Sequence, residues 1–215
     1  MSDLAQADRP DLSDSIGNFV ELVAAGTPTP GGGSVAAYCG MLAASLGQMV
    51  CTITMGKPKY AAAEARLKEI RAELERLSAR LRVLIAEDAD SFELVLRAYR
   101  LSKENDAQKS MRAAQIQRAL QQAVDVPFET ARRSLDVLKL LRELADSGTP
   151  NALADVAVGA QLAQVAVRGA SYNVGVNLDS ITDREAAHKP REQMAAMIGQ
   201  AKTIAEEIES KLKTQ

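Results

Sequence analysis

The sequence predicts an all-α fold: a single-domain antiparallel helix bundle with one or two nearly uncharged central helices. Three observations carry that expectation. Apolar residues recur at steps of three and four along most of the chain, and strand-like alternation is absent. Apolar residues make up 47% of the sequence, and many are Ala, which suits closely packed helices. Leu22 to Gly56 carries no charged residue, and Asn151 to Val176 carries almost none, as expected of helices enclosed by other helices.

The elements follow in order. A first helix is expected from about Ser13 to Ala25, with Ile16, Phe19, Val20 and Val23 on one face. Thr27-Pro28-Thr29-Pro30-Gly31-Gly32-Gly33-Ser34 is a loop that gives up packing surface and chain entropy without an obvious folding reason. It opens a helix reaching about Met55, in which Ala36, Gly40, Ala44 and Gly47 permit close backbone approach. A long helix is expected from about Ala61 to Tyr99 on the seam Leu67, Ile70, Leu74, Leu77, Leu81, Leu84, Phe92, Val95 and Tyr99. The next helix carries Ile116, Leu120 and Ala123 and should kink or break at Pro127. Gly148 ends it, Thr149 can cap the following helix, and Pro150 fits that helix's first position. Thr182-x-x-Glu185 reads as a capping box for a short helix. The last helix is expected to start near Pro190 and to use Met194, Met197, Ala201, Ile204, Ile208 and Leu212.

No repeat or dividing linker appears, so residues 1–215 read as one domain, with 1–12 expected to be flexible. Enclosing two uncharged helices takes more surface than one small bundle supplies, which predicts a homodimer or larger.

Composition excludes several functions. Lys plus Arg total 26 against 28 Asp plus Glu, and there is no Trp, so neither a basic surface nor a stacking platform points to nucleic acid. Leu22–Gly56 is long enough to span a membrane, but Gly, Ala, Ser and Thr dominate it from Ser34 to Gly56. A helix buried in protein is the better reading, with no membrane partner. Met1–Gln6 has neither a basic start nor an apolar run, so no secretory signal is expected. On one helix Cys39 and Cys51 would stand about 18 Å apart, too far to bridge. Reduced thiols in a cytoplasmic protein are expected. One His, two Cys and scattered acids make no metal site of known spacing, and no Cys-His or Ser-His-acid set is visible.

What remains is acid–base chemistry by carboxylates. Asp88 falls on the long-helix seam where an apolar residue belongs. Either it faces inward and needs a partner, a ligand or a raised pKa, or the stripe drifts and Ile85 and Ala89 take over the core. Asp155 lies opposite the polar stripe Gln161, Gln164, Arg168 and Ser171. It aligns with Gly159, Leu162, Ala166, Gly169 and Asn173, or it serves only as a first-turn acid favoured by the helix dipole. Asn151 stands one turn earlier. Lys57 and Lys59 flank Pro58 after the uncharged helix. They are either ordinary C-terminal cations or contacts for a carboxylate-bearing ligand, with Tyr60 as ring wall or donor.

These residues also form a collinear set. Thr27–Ala37, Met49-Val50-Cys51 with Gly56–Tyr60, Ile85–Phe92, Ala123–Pro127 and Asn151–Val158 resemble, in order and spacing, the cyclodeaminase/cyclohydrolase family. That family includes the C-terminal domain of formiminotransferase-cyclodeaminase and free-standing bacterial methenyltetrahydrofolate cyclohydrolases. The resemblance implies an all-helical, dimer-forming fold and a tetrahydrofolate substrate, with no further cofactor and no metal. It implies catalytic roles for Asp88, Asp155 and Lys57, and substrate contacts from Pro30, Gly31, Gly32, Gly33, Ser34, Tyr60 and Asn151. Relatives can carry Gly at position 34, which argues against Ser34 as a nucleophile. They often carry several lysines where this chain has Pro58, which leaves Lys57 and Lys59 both open as the anion contact. Hydrolysis of 5,10-methenyltetrahydrofolate to 10-formyltetrahydrofolate is the leading expectation. Ring closure of 5-formiminotetrahydrofolate with loss of ammonia is the alternative, and a non-enzymatic folate-binding or scaffold protein the second alternative.

Overall fold

The computed structural model describes residues 16–213, so Ser13–Ser15 and the stretch 1–12 lie outside the described residues. It contains six α-helices: α1 (Ile16–Ala24), α2 (Gly32–Thr54), α3 (Glu64–Arg100), α4 (Asp106–Ser147), α5 (Leu153–Asp179) and α6 (Arg184–Leu212). Short 3₁₀ turns, Pro58–Ala63 and Pro150–Ala152, precede α3 and α5. There is no strand among the described residues.

α2 is the axis of the bundle. It packs on α3, α4 and α5, while α6 lies against α4 and α5. Glycines set its contact with α3 and α4. A Cβ on Gly47 would meet Leu74 at 2.7 Å, and one on Gly40 would meet Leu81 at 3.2 Å. One heptad on, a Cβ on Gly33 would meet Asp88 at 2.1 Å. Leu74, Leu81 and Asp88 therefore occupy successive heptad positions of one antiparallel seam. α5 runs antiparallel on another side. Gly169 faces Ala36, Gly159 faces the Ala43 carbonyl, and the Thr149 N–H donates to Thr54 Oγ1 at 3.1 Å.

Within one chain α2 is not enclosed on all sides: Ser45, Met49, Thr52 and Ile53 are exposed. Several expectations need correcting. In α1 only Phe19 is buried, its ring 5.0 Å from Tyr38, whereas Ile16, Val20 and Val23 are exposed. Phe92 and Tyr99 leave the long-helix seam for the surface, Ser91 and Ala98 take their places, and Val95 stays buried as expected. A helix has 3.6 residues per turn, so a 3.5-residue seam drifts over so long an element.

Pro127 does not break α4, which continues to Ser147. Proline removes the N–H that would have bonded the Ala123 carbonyl. Asn177 Nδ2, from α5, donates to that carbonyl at 2.6 Å. The expected short helix and last helix are one, with Pro190 inside α6. Its N-cap is Asp183, accepting from the Ala186 N–H at 2.9 Å, whereas the Thr182 N–H and hydroxyl both donate to Gln117 Oε1. Thr149 caps nothing with its side chain.

Candidate active site

The site begins with a backbone that needs a partner. Gly31, extended at φ −118°, is the N-cap of α2 and offers no side chain to the helix's first N–H groups. Asp88 supplies one. It arrives from α3 one heptad beyond Leu81, and Gly33 leaves the space it occupies. Its carboxylate accepts from the backbone N–H of Ser34, and Ser34 Oγ donates to Asp88 Oδ2 at 2.9 Å. Ser34 Oγ also lies 3.1 Å from the Ile85 carbonyl. Ser91, fully packed behind, turns its hydroxyl to the Asp88 carbonyl at 2.8 Å.

Burial pushes the Asp88 carboxyl above the usual Asp range, and the hydroxyl and N–H of Ser34 offset this only in part. The proton inventory agrees. Ser34 has one hydroxyl proton and two acceptors before it. When Asp88 is protonated, its O–H can donate to Ser34 Oγ while Ser34 donates to Ile85. When it is ionised, the single hydroxyl proton of Ser34 can serve only one of the two. The drift alternative holds only in part: Ile85 enters the core but Ala89 is only half-buried, and Asp88 still points inward.

The structure gathers part of the expected set. Pro30 is buried beside Gly31, Gly32, Gly33 and Ser34, and Asp88 stands over them. Lys57, Tyr60, Asn151 and Asp155 lie towards the other end of α2. From Gly33 to Thr54 the helix rises about 32 Å at ~1.5 Å per residue. Gly159 is level with Ala43, which puts Asp155, one turn earlier, about 20 Å along the axis from Asp88. Asp155, in the first turn of α5, is half-buried, Asn151 is exposed, and Lys57 and Lys59 are exposed. Lys59 Nζ lies 5.5 Å from the Tyr60 ring centroid. Within one chain, then, the two aspartates do not share a pocket.

Asn173 was not singled out by sequence. Its amide lies 3.8 Å from where a Gly32 Cβ would be, and donates to the Gly169 carbonyl at 3.1 Å. Its helical alignment with Gly169 was the signal. The clefts of about 340 and 410 Å³ lie elsewhere, the first between α4 and α6 beside Arg142 and Lys211, the second between the end of α3 and the start of α4 beside Arg97 and Arg118. Neither has Asp88 in its lining.

Fold and site define a class: an all-helical protein that holds a carboxyl of raised pKa at the uncharged, glycine-led start of its axial helix. Comparison with known proteins is specific. The family model described as formiminotransferase-cyclodeaminase matches residues 15–196. Methenyltetrahydrofolate cyclohydrolase of Methylorubrum extorquens is 36% identical over 203 residues, covering 94% of this chain and 98% of the relative. Formimidoyltransferase-cyclodeaminase of Mus musculus is 34% identical over 90% of this chain, which spans 36% of that longer protein. The crystal structure of formiminotetrahydrofolate cyclodeaminase from Thermotoga maritima superposes with a TM-score of 0.80 at 29% identity, covering 91% of this chain and 95% of that one. The chain belongs to the formiminotransferase-cyclodeaminase family.

Proposed function

We propose that this protein hydrolyses 5,10-methenyltetrahydrofolate to 10-formyltetrahydrofolate. The observation that carries the reading is Asp88: a carboxyl of raised pKa, next to α2's uncapped amides and hydrogen-bonded to Ser34, a hydroxyl, and not to Lys or Arg. Support for the reaction comes from the relative of matching length, which is named a methenyltetrahydrofolate cyclohydrolase.

In this reading water adds to the cationic one-carbon bridge, the bond from that carbon to one ring nitrogen breaks, and one proton is released. A carboxyl whose pKa burial raises above the usual Asp range is a better base than an exposed one, suited to take the proton from water and return it to the departing nitrogen. The positive end of α2 favours the negative charge that develops on the attacking oxygen. With Gly at 31, 32 and 33, a flat ring can approach that backbone closely. Lys57 or Lys59 would hold a carboxylate tail. The protein would act as a cytoplasmic homodimer with no bound cofactor or metal.

Cyclodeaminase activity is the second reading, supported by the name of the superposed Thermotoga structure. It uses the same cation-binding pocket and a proton donor for the departing ammonia. The non-enzymatic reading expects inward Asp88 to pair with a cation, and the Ser34 partnership counts against that. Purified protein is to be assayed with both substrates. Accelerated loss of the methenyl chromophore supports hydrolase, release of ammonia from 5-formiminotetrahydrofolate supports lyase, and neither sinks the enzymatic reading.

A further inference from the structure

One side chain beside the glycine loop has a polar capacity that the fold does not use. Asn173 lies in the interior of α5, where Asn is a poor helix former. Asn177, one turn on, answers the carbonyl that Pro127 frees. Asn173 has no such task. Its Nδ2 donates to the Gly169 carbonyl at 3.1 Å, four residues back on its own helix, where the helical ladder already serves that carbonyl. A side-chain amide carries two N–H donors and one carbonyl acceptor. One N–H and Oδ1 of Asn173 are therefore without a partner among the described residues.

Its place gives that spare capacity a use. α5 runs antiparallel to α2, with Gly169 against Ala36 and Asn173 against Gly32. The next glycine, Gly33, is covered by Asp88 from α3. The first turn of α2 thus has a carboxyl on one flank and an amide on the other. Gly32 is exposed, whereas Gly33 and Ser34 are buried. A flat ring laid on Gly32 would meet the Asn173 amide at its edge.

A planar amide with one donor and one acceptor to spare pairs with a ring edge that sets an acceptor beside a donor. The pterin of a folate has such an edge: its 4-oxo group accepts and the adjacent N3–H donates. O4 is also the peri neighbour of N5. Holding O4 and N3–H therefore fixes N5, and the one-carbon bridge bonded to it, beside the held edge.

We propose that Asn173 is a specificity-determining residue: its spare N–H donates to O4 and its Oδ1 accepts from N3–H of the pterin, which aligns the one-carbon bridge for Asp88. This rests on the folate reading of the Asp88 site.

The test compares two probes, folic acid and its 4-amino analogue aminopterin, in which a donor replaces O4 and N3 becomes an acceptor. Titration calorimetry should show the wild type preferring folic acid by roughly tenfold or more. Asn173→Ala and the near-isosteric Asn173→Asp should lose or reverse that preference. In turnover of 5,10-methenyltetrahydrofolate, Asn173→Ala should raise KM about 10- to 100-fold, with a smaller change in kcat. A purely structural role would lower the melting temperature and leave the preference between probes intact. The same preference in wild type and both variants overturns the proposal, as does a wild type that binds the two probes alike. A wild type that shows the preference but turns over neither reduced folate defeats the enzymatic reading and leaves the recognition by Asn173 standing. A wild type that binds neither probe and turns over neither reduced folate defeats both.

Discussion

Ser34 and Asp88 form one unit across two helices: the Ser34 N–H and hydroxyl both reach the Asp88 carboxylate, the hydroxyl at 2.9 Å, and glycine at 33 makes the approach possible. The unit joins the start of α2 to the middle of α3, and its chemistry depends on how little room surrounds it.

Gly33→Ala is expected to displace the carboxylate, because the new Cβ would lie 2.1 Å from Asp88 Oδ1. A loss of roughly 1–3 kcal/mol in stability is expected for such overpacking, with methenyltetrahydrofolate turnover falling by on the order of a hundredfold as the group moves. Gly32→Ala is the control, since its Cβ meets only Asn173 Nδ2 at 3.8 Å. Equal effects of the two substitutions on thermal melts contradict this account.

Asp88→Asn should lower turnover by about 10²–10⁴ while changing stability in a pH-dependent way. The folded-state pKa of Asp88 is raised, so its contribution to stability is fully present below the unfolded Asp value, about 3.9. It is lost as pH rises through the folded value. The melting temperature of Asp88→Asn relative to wild type should therefore climb as pH rises from below the unfolded Asp value through the raised folded one. A flat or falling difference shows that Asp88 ionises without penalty.

Asn177 and Pro127 should be energetically coupled. Asn177→Ala leaves the Ala123 carbonyl without its 2.6 Å donor, at a cost of about 1–3 kcal/mol for an unsatisfied buried group. Pro127→Ala restores an N–H to the same carbonyl, so the Asn177→Ala penalty should shrink in that background. Chemical denaturation of the four members of the cycle measures this, and strict additivity defeats the pairing.

Acid sensitivity is expected from the α3–α4 contact. Arg80 forks onto Glu87 and Glu129, with Arg80 Nη2 2.7 Å from Glu129 Oε2. The Arg80 hydrogen bond is the main cause that brings Glu129 from 4.5 down to about 2, opposed by burial and helped by Arg133. The stability so contributed is present above the unfolded value and lost as pH falls towards about 2. Glu129→Gln should cost about 1–2 kcal/mol at neutral pH, discounted for exposure, and flatten the acid limb. An unchanged acid limb speaks against the network.

Much of this was legible in the chain. The seam Leu67–Leu84, the uncharged α2 and the glycine loop are local patterns, and the period of three and four places them on helices without further information. Asp88 was visible as a carboxylate out of place on that seam. Pro127 and Pro190 misled because a proline's effect depends on who answers the carbonyl it frees, and Asn177 comes from a helix fifty residues away. The capping box at Thr182 failed for a related reason: Gln117, distant in sequence, engages Thr182, and Asp183 takes the cap.

The sequence by itself determined the helical class, the Leu67–Leu84 seam and the family, because hydrophobic period and collinear motifs are written in order along the chain. Only the tertiary structure decided which motifs meet. It set Gly33 against Asp88 through an antiparallel heptad register, and it left Asp155, on α5, and Lys57, beyond the end of α2, far from them along the bundle axis. Spacing along a chain specifies a helical face but not the register between helices. That register is set where the smallest residues let two backbones close.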